Sequence, residues 1–222
     1  GSSNTDMVVR APYMPTPGET ILGGTFFMNQ GGKGANQAVA VARMGGELTF
    51  VTKLGDDIFG KQTIEIFQKE GMDTRYVFVD PRQPSGVALI TIDGKGENCI
   101  VVAPGANAAL GAQEVHQTKE LIENASYLLT QFETPMETIE EMARIAHAKG
   151  VQVVINPAPA QPISDELFAN TSIITPNETE AGILTGIEVK DIESAKRAAE
   201  AIRAKGVKTV IVTLGAKGSL VY

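Results

Sequence analysis

Short apolar runs alternate with stretches of helical period along the second half of this chain, and that rhythm limits the fold more than any other feature. Residues 127–131, 151–155, 172–175 and 207–214 are apolar runs of strand length, while 113–124, 136–149, 178–184 and 191–205 carry apolar residues at helical spacing. Strands separated by helices predict a parallel sheet with helices on both faces, because a parallel connection must cross back over the sheet. The expected class is α/β.

The first half has a different texture. Residues 33–44 and about 61–69 read as helices, and 7–9 and 48–54 as strands. Residues 20–28, 76–79, 87–93 and 99–103 are β-rich, and Asp93-Gly94-Lys95-Gly96 is a hairpin turn signal. These segments are expected to form a small antiparallel sheet, inserted into the main fold rather than appended to it. Neither internal repeats nor low-complexity tracts occur, so the 222 residues read as a single domain with inserted strands at about 20–28 and 87–103. The chain opens on Gly1-Ser2-Ser3 with no strand before it. It ends at Tyr222 inside a strand-like run, and so reads as an incomplete piece of a larger domain.

Composition narrows the function. A net charge of −7, from 26 acidic against 19 basic residues, argues against nucleic acid or an anionic membrane as the partner. No apolar run approaches the roughly 20 residues that span a bilayer. No signal peptide is read at the N-terminus. The single cysteine, Cys99, excludes an internal disulfide and a cysteine metal cluster. The expectation is a cytoplasmic enzyme.

Several segments can carry chemistry. Gln30-Gly31-Gly32-Lys33-Gly34-Ala35-Asn36-Gln37 sets three glycines and a cation ahead of a helix. Glycines admit close backbone approach, and a helix N-terminus offers N–H groups to an oxygen-rich ligand. A loop that only packs is the equal alternative. The spacing matches neither GxGxxG nor the Walker A loop, since no Ser or Thr follows Lys33. Asn4 and Asp6 are expected just past the end of a strand, where open α/β sheets bind ligands. They could hold sugar hydroxyls there; a polar turn is the alternative.

Glu133 follows the run 127–131 and could serve the same edge, or be a carboxylate favoured by a helix dipole. Asn156-Pro157-Ala158-Pro159-Ala160 is a rigid exit loop. Asn177 and Glu180 have capping-box spacing; the alternative is that they face phosphates, Glu180 through Mg²⁺ and its waters. Thr213-Leu214-Gly215-Ala216-Lys217-Gly218 is a glycine turn that either passes a nucleotide or closes a hairpin. His116 and His147 sit in expected helices away from carboxylates, and Cys99 reads as a structural thiol.

The segments GSSNTD, PTPGETILGG, GGKGANQAVA, GDDIFG, PGANAAL, NPAPA, TPNETEA and TLGAKG follow one another in this order. In that order they resemble the ribokinase/PfkB family of sugar kinases over essentially the whole chain, and GGKGANQ with NPAPA and TPNETEA resembles its ribose-specific branch. The resemblance implies a three-layer α/β/α fold with a mostly parallel central sheet and a small β-sheet lid over the sugar. It implies phosphorylation of D-ribose at the 5-hydroxyl by ATP with Mg²⁺, activation by K⁺, and a homodimer paired through the lid. Carried over residue by residue, Asn4, Asp6, Gly31, Gly32, Lys33, Asn36 and Glu133 match sugar-binding positions. Asn177, Thr213, Gly215 and Gly218 match the nucleotide side, and Glu180 the metal.

One family feature has no counterpart up to Tyr222: the later GAGD-type motif, whose Asp is the general base. General-base help is worth about 10²–10⁴-fold, so residues 1–222 alone are expected to be inactive. A kinase for deoxyribose, fructose or a sugar acid, and a non-catalytic sugar-binding fragment, remain the competing expectations.

Overall fold

The computed structural model describes residues 1–222 and divides them between two units, Gly1–Leu110 and Gly111–Tyr222. In the first, the elements run β1 (Asn4–Arg10), β2 (Thr25–Gly31), α1 (Lys33–Arg43), β3 (Thr52–Gly55), α2 (Ile58–Lys69), β4 (Val77–Asp80), β5 (Gly86–Ile92) and β6 (Asn98–Ala103), then a 3-10 turn over Gly105–Ala109. Four strands form a sheet of order β2-β1-β5-β6, and β3 and β4 form a separate parallel pair.

This differs from the expected small sheet in two ways. Residues 76–79 leave it, because β4 pairs with β3; and β1 enters it, pairing parallel with β5 and antiparallel with β2, so the sheet is mixed. The reason lies at Asn4 and Asp6. Both are poor strand formers by propensity, yet they alternate with Thr5 and Met7 and extend the strand from the three residues expected to seven. Asn4 and Asp6 therefore lie inside β1 and not beyond a strand end. The strand expected over 20–28 begins only at Thr25 and continues to Gly31. The hairpin between β5 and β6 closes as expected, with Asp93 accepting from the N–H groups of Lys95 and Glu97. A small core of Phe50, Leu54 and Phe67 with Ala35 and Ala38 lies behind α1 and α2. Its two phenyl rings meet edge to face at 5.5 Å.

The second unit alternates throughout: α3 (Ala112–Asn124), β7 (Tyr127–Thr130), α4 (Met136–Ala148), β8 (Gln152–Ile155), α5 (Asp165–Asn170), β9 (Ile173–Ile174), α6 (Glu178–Thr185), α7 (Ile192–Ala204), β10 (Thr209–Thr213) and β11 (Ser219–Val221). Strands β7 to β10 are parallel and lie in the sheet in chain order, with β11 added antiparallel at the edge. Val153, Ile155, Ile174, Val210 and Val212 point to one face and are buried against Ile139 of α4 and Ala195, Ala199 and Ile202 of α7. The alternate residues Val154, Ile173 and Ile211 face the other way and are half-buried. Helix α5 had no sequence expectation; its signal was Ser164, whose hydroxyl caps the helix by accepting from Leu167 N.

Because β7 to β10 are parallel, their carboxyl ends share one edge of the sheet. That edge gathers the exit loops at Glu133, Asn156, Asn177 and Thr213.

Candidate functional site

In the first unit, the site is built on the pleat of β1. Asn4 and Asp6 are two residues apart and so share one face. Their antiparallel partners across β2 are Gly31 and Asn29. The Asp6 carboxylate occupies the space that a side chain at Gly31 would need. Gly32 has φ of 91°, and a Cβ there would come within 2.8 Å of Asn4 N and Ser3 Cα. A Cβ on Gly34 would run into the backbone of Gly1 and Ser2. The glycines of the Gly31–Gly34 segment are thus required first by packing on residues 1–6. Of the seven residues expected to hold sugar, Gly31 pairs with Asn4 and meets the Asp6 carboxylate, Gly32 meets Asn4 N, and Lys33 follows at the start of α1.

The expected open N–H groups at the start of α1 are partly taken. Gly34 N donates to Ser2 Oγ at 3.2 Å and Ala35 N to Ser2 O at 2.8 Å. Gly32, the N-cap, has no side chain to do this, and Ser2 does it in its place. Asn36 is exposed one position on and borders a groove of about 490 Å³ with Gln30, Val39, Arg43 and Ile66. Neither Asn4 nor Asp6 lines that groove, so it is separate from the face that carries them.

Two further residues, quoted within motifs but given no role from sequence, hold the strand roots in place. Asn107 is 1% exposed. It accepts from Ser3 N at 2.9 Å, and the two hydrogens of its Nδ2 are shared among Asn4 Oδ1 at 2.8 Å and the carbonyls of Ser3 and Pro104 at 3.0 Å. Asp57 caps α2 by accepting from Gly60 N, and also accepts from Ser85 N and Ser85 Oγ, both at 2.7 Å, at the start of β5. Burial works against ionisation of Asp57. The hydrogen bonds from Ser85, Gly60 and Phe59 outweigh it and hold the carboxyl below its ordinary value of 3.8.

In the second unit, the exit loops of neighbouring strands are tied together. Asn156 Nδ2 donates to Thr175 O at 3.0 Å, and Thr213 N donates to Pro176 O at 2.9 Å, so that Asn177 and Thr213 bridge. Asn177 and Glu180 form the capping box: Glu180 N donates to Asn177 Oδ1 and Asn177 N to Glu180 Oε2, both at 2.8 Å. Past Thr213 the chain turns back as a hairpin, with Leu214 N donating to Gly218 O, and Gly215 and Gly218 both at positive φ. Thr213, Gly215, Gly218 and Asn177 are all exposed along this edge. Glu133 lies at the exit of β7, half-buried, three strand positions from β10, or about 14 Å.

No group of three or more His, Cys, Asp or Glu is gathered to hold a metal. A magnesium ion carried by phosphates needs only one or two protein carboxylates and keeps several waters; of the Glu180 carboxylate, one oxygen already accepts from Asn177 N. His116 and His147 are exposed on α3 and α4 and take no part.

The first unit thus sets an amide and a carboxylate on one face of β1, and the second an exposed edge formed by strand exit loops and the start of α6. The profile described as pfkB family carbohydrate kinase matches residues 1–222. The chain is 48% identical over 221 residues to a ribokinase of Haemophilus influenzae, covering 100% of this chain and 72% of that protein. A deoxyribokinase of Salmonella typhi is 36% identical over 221 residues, covering 99% of this chain and 72% of that protein. The solved structure of Arabidopsis thaliana ribokinase complexed with ribose and ATP superposes with a TM-score of 0.89 at 33% identity, covering 100% of this chain and 72% of that one.

Proposed function

Since this chain belongs to the pfkB family of carbohydrate kinases, we propose that it serves the transfer of the γ-phosphoryl group of ATP to the 5-hydroxyl of D-ribose, giving ribose 5-phosphate and ADP. The observation that carries this reading is the 48% identity to a ribokinase along the whole chain. In the first unit Asn4 and Asp6, with Gly31, Gly32 and Lys33, bind the sugar; Asn36, beside its own groove, and Glu133 of the second unit are sugar-binding positions by the family resemblance alone. Asp6 accepts from hydroxyls, and Asn4 donates to one. Asn177, Thr213, Gly215 and Gly218 border the nucleotide, and Glu180 holds Mg²⁺ through its waters. Bound with the nucleotide, Mg²⁺ neutralises charge on the phosphoryl oxygens. None of residues 1–222 is assigned as the base that takes the hydroxyl proton. K⁺ acts as an activator, to which no residue here is assigned.

The enzyme works in the cytoplasm as a homodimer paired through the lid, the four-stranded sheet of the first unit. Support for pairing comes from the face of that sheet opposite Asp6, where Val9, Phe26, Met28, Leu89 and Val101 are 38% to 62% exposed.

The test is ADP formation by the full-length protein with Mg²⁺ and K⁺, using D-ribose, 2-deoxyribose and fructose. Ribose is expected to exceed 2-deoxyribose by about 100-fold or more in kcat/KM, because a site built to hydrogen-bond a hydroxyl rejects the analogue that lacks it. Leaving out K⁺ is expected to lower the rate. The likeness to a deoxyribokinase favours 2-deoxyribose as the second reading, and equal or faster turnover of 2-deoxyribose would establish it. Ribose binding without ADP formation would reduce the protein to a sugar-binding role.

A further inference from the structure

Asn4 is only 4% exposed, and its amide is oriented by a single neighbour. Asn107 Nδ2 donates to Asn4 Oδ1 at 2.8 Å. The oxygen of Asn4 is therefore turned inward, and its Nδ2 is turned the other way. That nitrogen donates to no group of the chain, and it is not among the buried side-chain atoms without a partner. What Asn4 presents outward is thus its NH₂ group.

The neighbour is itself immobilised. Asn107 is held by Ser3 N and by the carbonyls of Ser3 and Pro104. The 3-10 turn that carries it is stitched to the start of β5, where Ala106 N donates to Pro84 O at 2.8 Å. Gly86 lies directly beneath the amide pair: a Cβ there would fall on both Asn4 Oδ1 and Asn107 Nδ2. Asn107 therefore joins the roots of β1, β5 and β6 at one point and, at that point, sets which end of the Asn4 amide faces out.

We propose that Asn107 is a positioning residue for the sugar site, which fixes the Asn4 amide with its NH₂ toward the substrate. Asn4 then offers a donor on the same face of β1 where Asp6 offers an acceptor. A hydroxyl both accepts and donates, so this donor–acceptor pair suits a polyol, and an inverted Asn4 amide would present two acceptors in a row. The inference rests on the sugar-kinase reading and adds to it a residue that touches no substrate.

The experiment is a double-mutant cycle in the full-length protein, with D-ribose affinity and the affinity of a non-hydrolysable ATP analogue both measured by calorimetry. Asn4→Ala and Asn107→Ala are each expected to weaken ribose binding about 10-fold and leave the nucleotide within twofold. The double variant is expected to bind ribose no more weakly than Asn4→Ala alone, because Asn107 acts only through Asn4. A merely structural Asn107 would instead give losses that multiply, or weaken both ligands together; either result overturns the proposal, as does unchanged ribose affinity in Asn107→Ala. Should Asn107→Ala fail to fold, the side-chain amide resonances of the wild-type protein decide. The Asn4 NH₂ signals are expected to shift on adding ribose, and an unmoved Asn4 pair in a ribose-saturated protein overturns the assignment. Wild-type protein that binds no ribose fails the functional reading itself, which is a different outcome from ribose binding that ignores Asn107.

Discussion

Asp6 can turn its carboxylate across the sheet only because residue 31 has no side chain. Gly31 and Gly32 are consequently glycines for different reasons, and their variants should separate. Gly31→Ala meets the end of a flexible side chain, so the fold is expected to tolerate it while Asp6 is pushed aside. Its ribose affinity should then fall about 10- to 100-fold, as in Asp6→Ala, the loss of a hydrogen bond to a charged group being worth about 1.5–3 kcal/mol. ATP affinity should not change in either variant. Gly32→Ala meets backbone atoms of Ser3 and Asn4 and must adopt a φ of 91°, so it is expected to lower the melting temperature by several degrees. Calorimetric titration with ribose and a thermal melt for each variant check the set. A Gly31→Ala protein with wild-type ribose affinity would break the link between that glycine and Asp6. The sequence showed that these glycines mattered but left ligand approach and packing as equal alternatives, since residues 1–6 and 31–34 are neighbours only after β1 and β2 pair.

Helix α2 and strand β5 are joined by one carboxylate. Asp57 serves as N-cap to the helix while accepting two hydrogen bonds from Ser85. Replacing it with Ala removes the cap and leaves the buried Ser85 N–H unpaired, an expected cost of about 2 kcal/mol in urea unfolding at neutral pH. The pH dependence has a definite sign. The folded pKa of Asp57 lies below 3.8, so its stabilisation is complete above the unfolded value and is lost as pH falls through the folded one. The gap between wild type and Asp57→Ala should therefore be widest above about pH 5 and narrow steadily in acid. A gap that stayed constant down to pH 2 would mean that the ionised form carries none of it. The capping role was open to sequence reading, since Asp57 stands three residues before Gly60 at a helix start. Its reach to Ser85 was not, because 28 residues separate them and no local pattern marks the pair. The same limit hid β1: Asn4 and Asp6 disfavour strand by propensity, and only ladders with β2 and β5 on both sides override that.

For the whole molecule, the exposed apolar face of the four-stranded sheet bears on assembly. Leu89 and Val101 lie opposite each other on β5 and β6 and are 54% and 62% exposed. Leu89→Glu is expected to convert a wild-type dimer into a monomer in sedimentation, since a charge in an apolar interface is costly to bury. A monomeric wild-type protein would remove the lid pairing from the proposal.

What the sequence determined by itself was whatever rests on local periodicity and local chemistry. That includes the alternating parallel strands and helices of the second half, the hairpin at Asp93, and the capping box of Asn177 and Glu180, each set within a few residues by side-chain spacing and turn preference. The eight ordered motifs added the family. The tertiary structure alone decided which strand β1 pairs with, that Ser2 takes up the N–H groups at the start of α1, and that Asn107 governs the face Asn4 presents. These contacts join residues from 15 to 104 positions apart. Their energies depend on ladder pairing and on satisfying buried polar groups, neither of which leaves a periodic mark in the chain.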